Sequence, residues 1–367
     1  MKRKKTNRNL SYFSFILVLI FTSIISCTGQ KNNTEVINAY QLRINGYADS
    51  AKVLLSSITD KNPDNTLAWF ELSRTIEHIG MSNPREMQKA IDESFACINK
   101  AIELDNRNAK YLSYKGRIQT LQMYSAMKIG GNEGGVLLKI EETYAQVEQI
   151  DDSYYENKLA LVEFFGGLPT EYGGDSAKAE IYTQELEKVS LIFGAKAREI
   201  LMSEDADYEA FWKDIIEKEP QNADAVQALG RVYLFIGDVD KAIIQYQKAI
   251  DIDNSKKELY LDLGRYYMMM GMQGQMPIDS IAPMIEEYFY KYLDFEPAPN
   301  KPMKAWVYGT LSMINSRTGN KEKAEAYQKD AEKSDPFYSR AFGKPFPGLY
   351  DLPEEVGHYH TYYLSPF

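Results

Sequence analysis

The nine residues LGRVYLFIG, Leu229 to Gly237, return 34 positions later as LGRYYMMMG, Leu263 to Gly271. Self-similarity at a fixed period of about 20 to 50 residues is the signature of proteins built from stacked structural units. Each copy places large and small side chains at helical spacing. The repeat therefore predicts an all-α solenoid of antiparallel helix pairs, in which each unit packs mainly on its neighbours.

Residues 223–256 place a small residue where the two predicted helices cross, Gly230 in the first helix and Ala242 in the second. Small residues let two helix axes approach closely, while bulky neighbours fill the grooves on either side. The full pattern is Val226, Leu229, Gly230 and Tyr233, then Gly237, Ala242, Tyr246 and Ala249. This unit resembles the tetratricopeptide repeat (TPR), with Asn254 where that family most often carries proline. The resemblance implies a TPR-like α-α superhelix whose concave face holds another molecule.

Four further units can be placed by their spacing from the unit at residue 223. They begin at residues 66, 109, 257 and 305. The units at 66 and 257 each carry nine extra residues between the turn glycine and the end of the second helix. A longer second helix and a pair of loops projecting from one edge both explain the excess. The unit at 305 departs from the pattern, with Ser312 at the small position and Asn315 at an aromatic one.

Between residues 136 and 218 the 34-residue period is lost, but helical patterning continues. We predict helices at Val136 to Gln149, Tyr154 to Phe165, Ser176 to Val189, Ala195 to Met202 and Ala206 to Lys218. The segment YGGDSAKAE, which begins at Tyr172, is similar to a segment of substrate-transport-associated TPR lipoproteins. No segment shows sustained alternation with period two, so we expect almost no sheet.

The first residues of the chain are typical of an export signal. Five basic side chains lie before or near the start of a short apolar run, Tyr12 to Ile25, which is too short to span a bilayer. Cys27 follows Ser26, and this arrangement resembles the bacterial lipobox. In that family the cysteine carries diacylglycerol and palmitate and becomes the mature N-terminus. Thr28 follows where an Asp is the familiar inner-membrane retention signal, so the resemblance favours the outer membrane, facing the periplasm.

We therefore expect a lipid at Cys27 that attaches the chain to the membrane. A cleaved signal with an incidental cysteine, or an uncleaved anchor, are the alternatives. Loss of residues 1–26 takes the net charge from −10 to −15, because they hold five basic and no acidic side chains. Such an acidic chain is a poor candidate for binding nucleic acid, which depends on basic surface.

No constellation for catalysis, cofactor binding or metal binding emerges from the sequence, so we expect a protein that is not an enzyme. Cys97 lies in a helical stretch and is interpreted as a small buried hydrophobe. The segment GGNEGG, residues 130–135, lacks the Gly-Lys-Ser/Thr ending of a phosphate-binding loop. His358 and His360 form only a weak metal motif in a tail, residues 339–367, that is rich in aromatic side chains and proline. We interpret the tail as a cap over the last helices, with a ligand-contacting arm as the alternative.

An arginine follows the small position of the first helix in four of the five units. These residues are Arg74, Arg117, Arg231 and Arg265. In TPR proteins this position lies on the concave face, so the resemblance implies candidate ligand-binding residues. The planar guanidinium can hold a carboxylate through two hydrogen bonds. In the alternative interpretation, each arginine pairs with an acid on an adjacent helix.

We divide the chain into five segments on these grounds. They are a lipoprotein signal peptide (1–26), a polar tether (27–34), irregular N-terminal helical repeats (35–218), C-terminal TPR units (219–338) and the tail (339–367). The predicted function is a non-enzymatic scaffold at the bacterial envelope that binds a protein or peptide through its concave face. A carboxylate is the candidate feature of this partner that the arginines would recognise. A solute-binding accessory lipoprotein of a transport or nutrient-uptake system is the alternative, and a deep closed pocket would favour it.

Overall fold

A computed structural model describes residues 34–83, 85–128 and 134–339, and in these residues all regular structure is helical. The α-helices are α1 (34–44), α2 (Ala48–Lys61), α3 (Thr66–Met81), α4 (Met87–Leu104), α5 (Ala109–Lys128), α6 (Gly134–Ile150), α7 (Tyr155–Gly167), α8 (Ser176–Val189), α9 (Leu191–Leu201), α10 (Tyr208–Lys218), α11 (Ala223–Phe235), α12 (Val239–Ile252), α13 (Leu259–Met272), α14 (Ile278–Leu293), α15 (Lys301–Arg317) and α16 (Lys321–Ser334). The predicted all-α solenoid is confirmed.

Most helices pack as consecutive pairs joined by short connections, and each pair then packs on the next. The pair α9 and α10 is open, since α9 packs mainly on α7 and α8 while α10 packs on α11. Buried apolar side chains form four clusters along the chain. The cluster nearest the C-terminal end of the described residues contains both Trp212 of α10 and Val226 of α11. It therefore runs across the predicted boundary at residue 218.

The glycines at the small positions stand against aromatic rings of the second helix. A Cβ atom on Gly230 would lie 2.4 Å from the ring of Tyr246, and one on Gly264 would lie 2.3 Å from the ring of Phe289. No side chain fits at such distances, so each unit depends on glycine there. The close helix approach inferred from the sequence is therefore present.

The last unit replaces glycine by a hydrogen bond. The Ser312 hydroxyl donates to the Ala324 carbonyl at 2.8 Å, which ties α15 to the small position of α16. Asn315 stands where an aromatic residue is usual, and its amide donates to the Leu311 carbonyl and to Glu286 on α14. Buried polar groups thus replace apolar packing here, and both side chains have partners, as burial requires.

The nine extra residues of the unit at 66 are distributed over three elements. Helices α3 and α4 have 16 and 18 residues, against 13 and 14 in α11 and α12. The connection 82–86 has five residues, against three in the connection 236–238. In the unit at 257 the connection 273–277 is again five residues long. Longer helices account for most of the excess in the unit at 66, whereas in the unit at 257 the helices have 14 and 16 residues and account for less of it.

The five helices predicted between residues 136 and 218 are all present. Ser176–Val189 has the predicted bounds because Asp175 caps it and accepts hydrogen bonds from two backbone N–H groups of its first turn. Helix α9 begins at Leu191, four residues before the prediction. The reason is a second cap, since the Ser190 hydroxyl accepts from the backbone N–H of Phe193.

The two ends of the solenoid meet. His78, near the end of α3, lies 3.1 Å from Asp335, which follows α16, and both side chains are buried. The ring of Tyr338 packs on the His78 ring, with 4.6 Å between centroids. At the turn between α1 and α2, the backbone of Gly46 lies against the carbonyl of Ser334. The chain of helix pairs therefore closes on itself.

Several predictions fall outside the described residues. They concern the signal segment, the lipid site Cys27, most of GGNEGG, the tail and its two histidines. Among the helices that the structure describes, none is long and apolar enough to cross a membrane.

The glycine contacts give a test of the packing. We expect Gly264→Ala to lower the free energy of unfolding by about 1–3 kcal/mol, because the new methyl group overlaps the Phe289 ring. The control is Gly135→Ala on α6, where a Cβ atom meets nothing within 4 Å. Urea unfolding followed by circular dichroism measures both variants. Equal stability of the two variants would show that the close approach at Gly264 is not required.

Candidate functional site

Arg74 is held in a buried cluster between α1 and α3. Its guanidinium donates to Glu71 at 2.7 Å, and Arg43 donates to the other oxygen of the same carboxylate at 2.7 Å. The Arg74 side chain is 6% exposed and also lies over the rings of Tyr40 and Phe70. The Glu71 carboxylate thus pairs with both guanidinium groups, and pairing of this kind offsets part of the cost of burying the charges.

Arg117 joins α5 to α3. Its two terminal nitrogens each donate to one oxygen of Glu77, one of them at 2.8 Å. The Tyr114 hydroxyl donates to the same carboxylate at 2.6 Å. The arginine is 14% exposed and the glutamate 4%. This bidentate pair fixes the spacing of two successive first helices.

Arg231 joins α11 to α9. It donates to Glu199, whose second oxygen accepts from the indole N–H of Trp212 at 2.8 Å. The Arg231 side chain is 28% exposed, so water and other molecules reach it. The pair is thus anchored on one side by a fully buried tryptophan and open on the other.

Arg265 has the weakest pair of the four. It donates to Asp262, three residues earlier on α13, at 3.2 Å. Burial raises the pKa of the Asp262 carboxyl above its usual range, although Arg265 and then Arg231 act in the opposite direction. The Asp262 side chain is 37% exposed, so the surrounding water limits this effect.

Glu163 on α7 completes this face and was not predicted. Burial raises the pKa of its carboxyl from 4.5 to about 8, and Arg231 offsets the rise only in part. Its Oε2 atom is buried and accepts no hydrogen bond from another described residue. The pKa of Tyr124 on α5 is raised as well, by burial and then by Glu163. The carboxyl therefore holds a proton at neutral pH.

We use the name polar wall for five side chains: Glu163, Glu199, Arg231, Asp262 and Arg265. They lie on the first helices of four successive helix pairs, α7, α9, α11 and α13. Glu163 and Arg231 interact although one helix pair lies between theirs. These interactions link the side chains of the polar wall from one first helix to the next.

The structure divides the four predicted arginines into two groups. Arg74 and Arg117 are largely buried in strong pairs, whereas Arg231 and Arg265 are about one third exposed on the polar wall. All four contact acids, as the alternative interpretation requires, but only two of these acids lie on a neighbouring helix pair. A role in ligand binding stays a prediction, and the geometry directs it to Arg231 and Arg265.

The chemistry of the polar wall suits exchange of hydrogen bonds. Burial raises the pKa of two of its three acids, Glu163 and Asp262, and so disfavours their ionised forms. A guanidinium offers several N–H donors in one plane, so a carboxylate from another molecule can bind to it in place of a weakly held partner. One sequence signal pointed here, since Asp262 and Arg265 have the i, i+3 spacing of a helical pair.

The remaining candidates behave as structural residues. Cys97 is buried, and burial together with Glu93 raises the pKa of its thiol to about 11, so it is protonated and unreactive at neutral pH. No group of His, Cys, Asp and Glu side chains in the described part of the chain could hold a metal ion.

Two cavities bear on the solute-binding alternative. An open hollow of about 480 Å³ lies along α2, and a cleft of about 130 Å³ lies between α6, α7 and α8 beside Tyr144, Asn157 and Tyr182. The first is open to solvent and the second only partly enclosed. Neither is the deep closed pocket that a solute-binding protein requires.

Comparison with known proteins supports the repeat assignment. The family described as tetratricopeptide repeat matches residues 223–256 and 307–338. These ranges correspond to the first unit found in the sequence and to the last one. No curated protein matches the chain.

Solved structures of similar fold include a thermophilic TPR protein of Thermus thermophilus, with 16% identity and a TM-score of 0.36, covering 64% of this chain and 96% of that one. A TPR protein of Parabacteroides merdae has 15% identity and a TM-score of 0.34, and the match covers 83% and 93% of the two chains. The human IFIT1 dimer with PPP-AAAA has 17% identity and a TM-score of 0.38, with 80% and 75% covered. Similarity this low carries no further argument about the chain.

The proton on Glu163 gives a test by pH. Because its pKa is raised in the folded chain, the folded state binds more protons than the unfolded state between about pH 4.5 and 8. The free energy of unfolding should therefore fall as the pH rises through this window, by at most about 1.4 kcal/mol per unit. Glu163→Gln, which cannot ionise, should lose this component, so its stability relative to the parent should increase from pH 5 to pH 8.

Denaturant unfolding at several pH values measures the effect. The control is Glu103→Gln on α4, an exposed carboxylate in a pair with Lys100. Parallel pH profiles of the parent and Glu163→Gln would show that Glu163 is ionised at neutral pH in the folded chain.

Proposed function

We propose that this TPR protein is a non-catalytic scaffold that binds a protein or peptide on its concave face, through a carboxylate of the partner. The observation that carries the proposal is the Arg265–Asp262 pair, in which both side chains are about one third exposed, the hydrogen bond is 3.2 Å long and burial disfavours the ionised aspartate. The repeats themselves favour this class of function, since stacked helix pairs form extended concave binding surfaces.

Binding would exchange one partner of Arg265 for another. The incoming carboxylate would accept from Arg265 and come within reach of Arg231, whose exposed side is free of the Trp212 anchor. Asp262 would then turn to solvent, which its exposure allows. The protonated Glu163 could donate a hydrogen bond to a second oxygen of the partner.

We also propose that the scaffold is a lipoprotein of the bacterial outer membrane that faces the periplasm. The support is the order of basic side chains, short apolar run and Cys27, with Thr28 after the cysteine. A lipid at Cys27 would place the helical repeats within a few residues of the membrane surface, since the first described helix is already present at residue 34. The scaffold would thus present its partner close to the membrane.

The binding proposal is tested by photo-crosslinking in intact cells. A benzoylphenylalanine at Met268, one turn beyond Arg265 on α13, should capture a discrete partner. Adding Arg265→Ala should lower the yield about ten-fold, because a charge-assisted hydrogen bond contributes roughly 1.5–3 kcal/mol. The thermal unfolding midpoint should stay close to that of the parent, because the side chains of the Arg265–Asp262 pair are about one third exposed.

The matched control is Lys291→Ala, which removes a cation from an ion pair with Glu287 on α14, the second helix of the same unit. It should leave the crosslinking yield unchanged. If Arg265→Ala and Lys291→Ala lower the yield equally, or neither does, the partner does not depend on the polar wall.

The lipid proposal has its own control within the chain. In cells fed an alkyne-labelled palmitate, the parent should incorporate the label and move with the outer membrane on fractionation. Cys27→Ser should lose both properties, whereas Cys97→Ser should keep them, since that thiol is buried and protonated. Labelling of Cys27→Ser at the parent level would overturn the proposal.

A further inference from the structure

The cleft between α6, α7 and α8 faces away from the polar wall. Lys158 and Leu161 of α7 line this cleft, and they lie five and two residues before Glu163. At about 100° per residue, both positions are on the opposite side of the helix from Glu163. The cleft is therefore a second surface, and its chemistry does not involve the polar wall.

The helices around the cleft carry most of the negative charge of the chain. Residues 134–189 contain twelve acidic and four basic side chains, a formal net charge of −8, against −10 for all 367 residues. The described lining of the cleft includes one lysine, Lys158, and four acids: Glu141, Glu148, Asp151 and Asp152. A concave surface lined by one sign of charge concentrates ligands of the opposite sign. The cleft therefore favours a cation.

Lys158 shows how this surface already holds a positive charge. Its ammonium group donates to Glu148 at 2.7 Å and lies 2.8 Å from an oxygen of Glu185, and only 16% of the side chain is exposed. Burial lowers the pKa of this ammonium group, but the hydrogen bonds to Glu148 and Glu185 outweigh that effect, so the pKa is raised above its usual range. The carboxylates beside the cleft thus stabilise a largely buried cation.

Aromatic rings supply another part of the lining. The four rings are those of Tyr144, Tyr154, Tyr155 and Tyr182. The Tyr182 hydroxyl donates to Glu141 at 2.7 Å, and Lys178 donates to both oxygens of the same carboxylate at 2.8 and 2.9 Å. The Lys178 ammonium group also lies 4.7 Å from the centroid of the Phe165 ring. Because the face of an aromatic ring attracts a cation, rings and carboxylates act together on this surface.

One polar group in the lining has no partner. Asn157 is 8% exposed, and its Oδ1 atom accepts from the Ser113 hydroxyl at 2.9 Å. Its Nδ2 atom is buried and donates to no other residue that the structure describes. A buried donor needs an acceptor, which the backbone carbonyl of a protein segment provides and a bare organic cation does not. The lining therefore fits a positive charge that comes with a carbonyl oxygen.

The size of the cleft limits what it can hold. Its volume of about 130 Å³ is below the roughly 300–1,000 Å³ of sites that enclose a whole small molecule. The cleft therefore accommodates one functional group instead of an entire solute. Val189, at the end of α8, also lines the cleft and is 57% exposed, so the rim offers apolar surface that a larger partner would cover.

We infer that the cleft between α6, α7 and α8 is a docking site for a basic side chain of a partner protein, and that arginine fits it best. The planar guanidinium can stack on a tyrosine ring while its edge donates to carboxylates. The backbone carbonyl of the same segment would accept from Asn157. The surrounding acids would contact further basic residues, so the whole surface suits a basic protein.

Isothermal titration calorimetry with defined probes tests the inference. The probes are the peptide acetyl-(Gly-Arg-Ser)4-amide, the same peptide with neutral citrulline at each arginine, and ethylguanidine, which has the charge but no carbonyl. We expect the arginine peptide to bind at least about ten-fold more tightly than either of the others, because it alone offers both charge and acceptor. Ethylguanidine binding as tightly as the arginine peptide would make the cleft a site for a free cation and overturn the inference.

A substitution at the rim locates the binding. Val189→Arg places a basic side chain of the chain itself at the cleft and should weaken binding of the arginine peptide at least about ten-fold. The matched control is Val53→Arg on α2, where the valine is 72% exposed and the added charge is the same. The control should change the affinity by less than about two-fold. Thermal unfolding checks that both variants are folded.

A second pair of variants removes a carboxylate instead. Glu148→Gln should weaken binding of the arginine peptide about two- to five-fold, whereas Glu103→Gln, at an exposed acid on α4, should leave it unchanged. Equal effects of Val189→Arg and Val53→Arg would show that the peptide follows the net charge of the chain and not the cleft. Equal affinities of the arginine and citrulline peptides, or no binding of either, would also contradict the inference. None of these results bears on whether Arg265 binds a carboxylate.

Discussion

The close approach of the two helices within a unit is the constraint on which the rest of the molecule depends. Gly230 and Gly264 let an aromatic ring of the second helix sit directly against the backbone of the first. Interiors are close-packed, so this contact sets the angle between the helices and leaves little freedom. Each unit then offers the next one a fixed surface, and small regular rotations add up to a curved stack. In the units that carry Gly116, Gly230 and Gly264, a missing side chain thus sets the angle between the two helices.

Ion pairs between successive helices add to the packing that the glycines allow. On the inner side, arginines and acids of successive first helices bind one another, as in Arg117 with Glu77 and Arg231 with Glu199. The buried pairs hold the stack together, and removal of one member would leave a buried charge without a partner. The ion pairs of Arg231 and Arg265, whose side chains are about one third exposed, contribute less to stability. The same repeated residue is thus structural at one end of the solenoid and available at the other, because burial differs along the stack.

The closure of the solenoid changes how its ends are to be understood. Repeat proteins need their terminal units covered, because the last helix pair lacks a neighbour. Here the turn at Gly46 and the end of α3 lie against the residues that follow α16, so the two ends cover part of each other. A tail acting as the sole cap is therefore not required by the packing.

The sequence by itself determined the architecture, because helical periodicity and small residues at fixed spacing act locally and leave a visible pattern. The cap at Asp175 and the helices of the aperiodic middle follow from such local rules, whereas α9 and α15 each begin four residues before the predicted position. The repeat also showed where the arginines stand. Tertiary structure alone decided which of them are buried, that Glu163 joins Arg231, and that His78 meets Asp335. These contacts join residues tens to hundreds of positions apart, and they depend on the accumulated curvature of the stack, which no single repeat encodes.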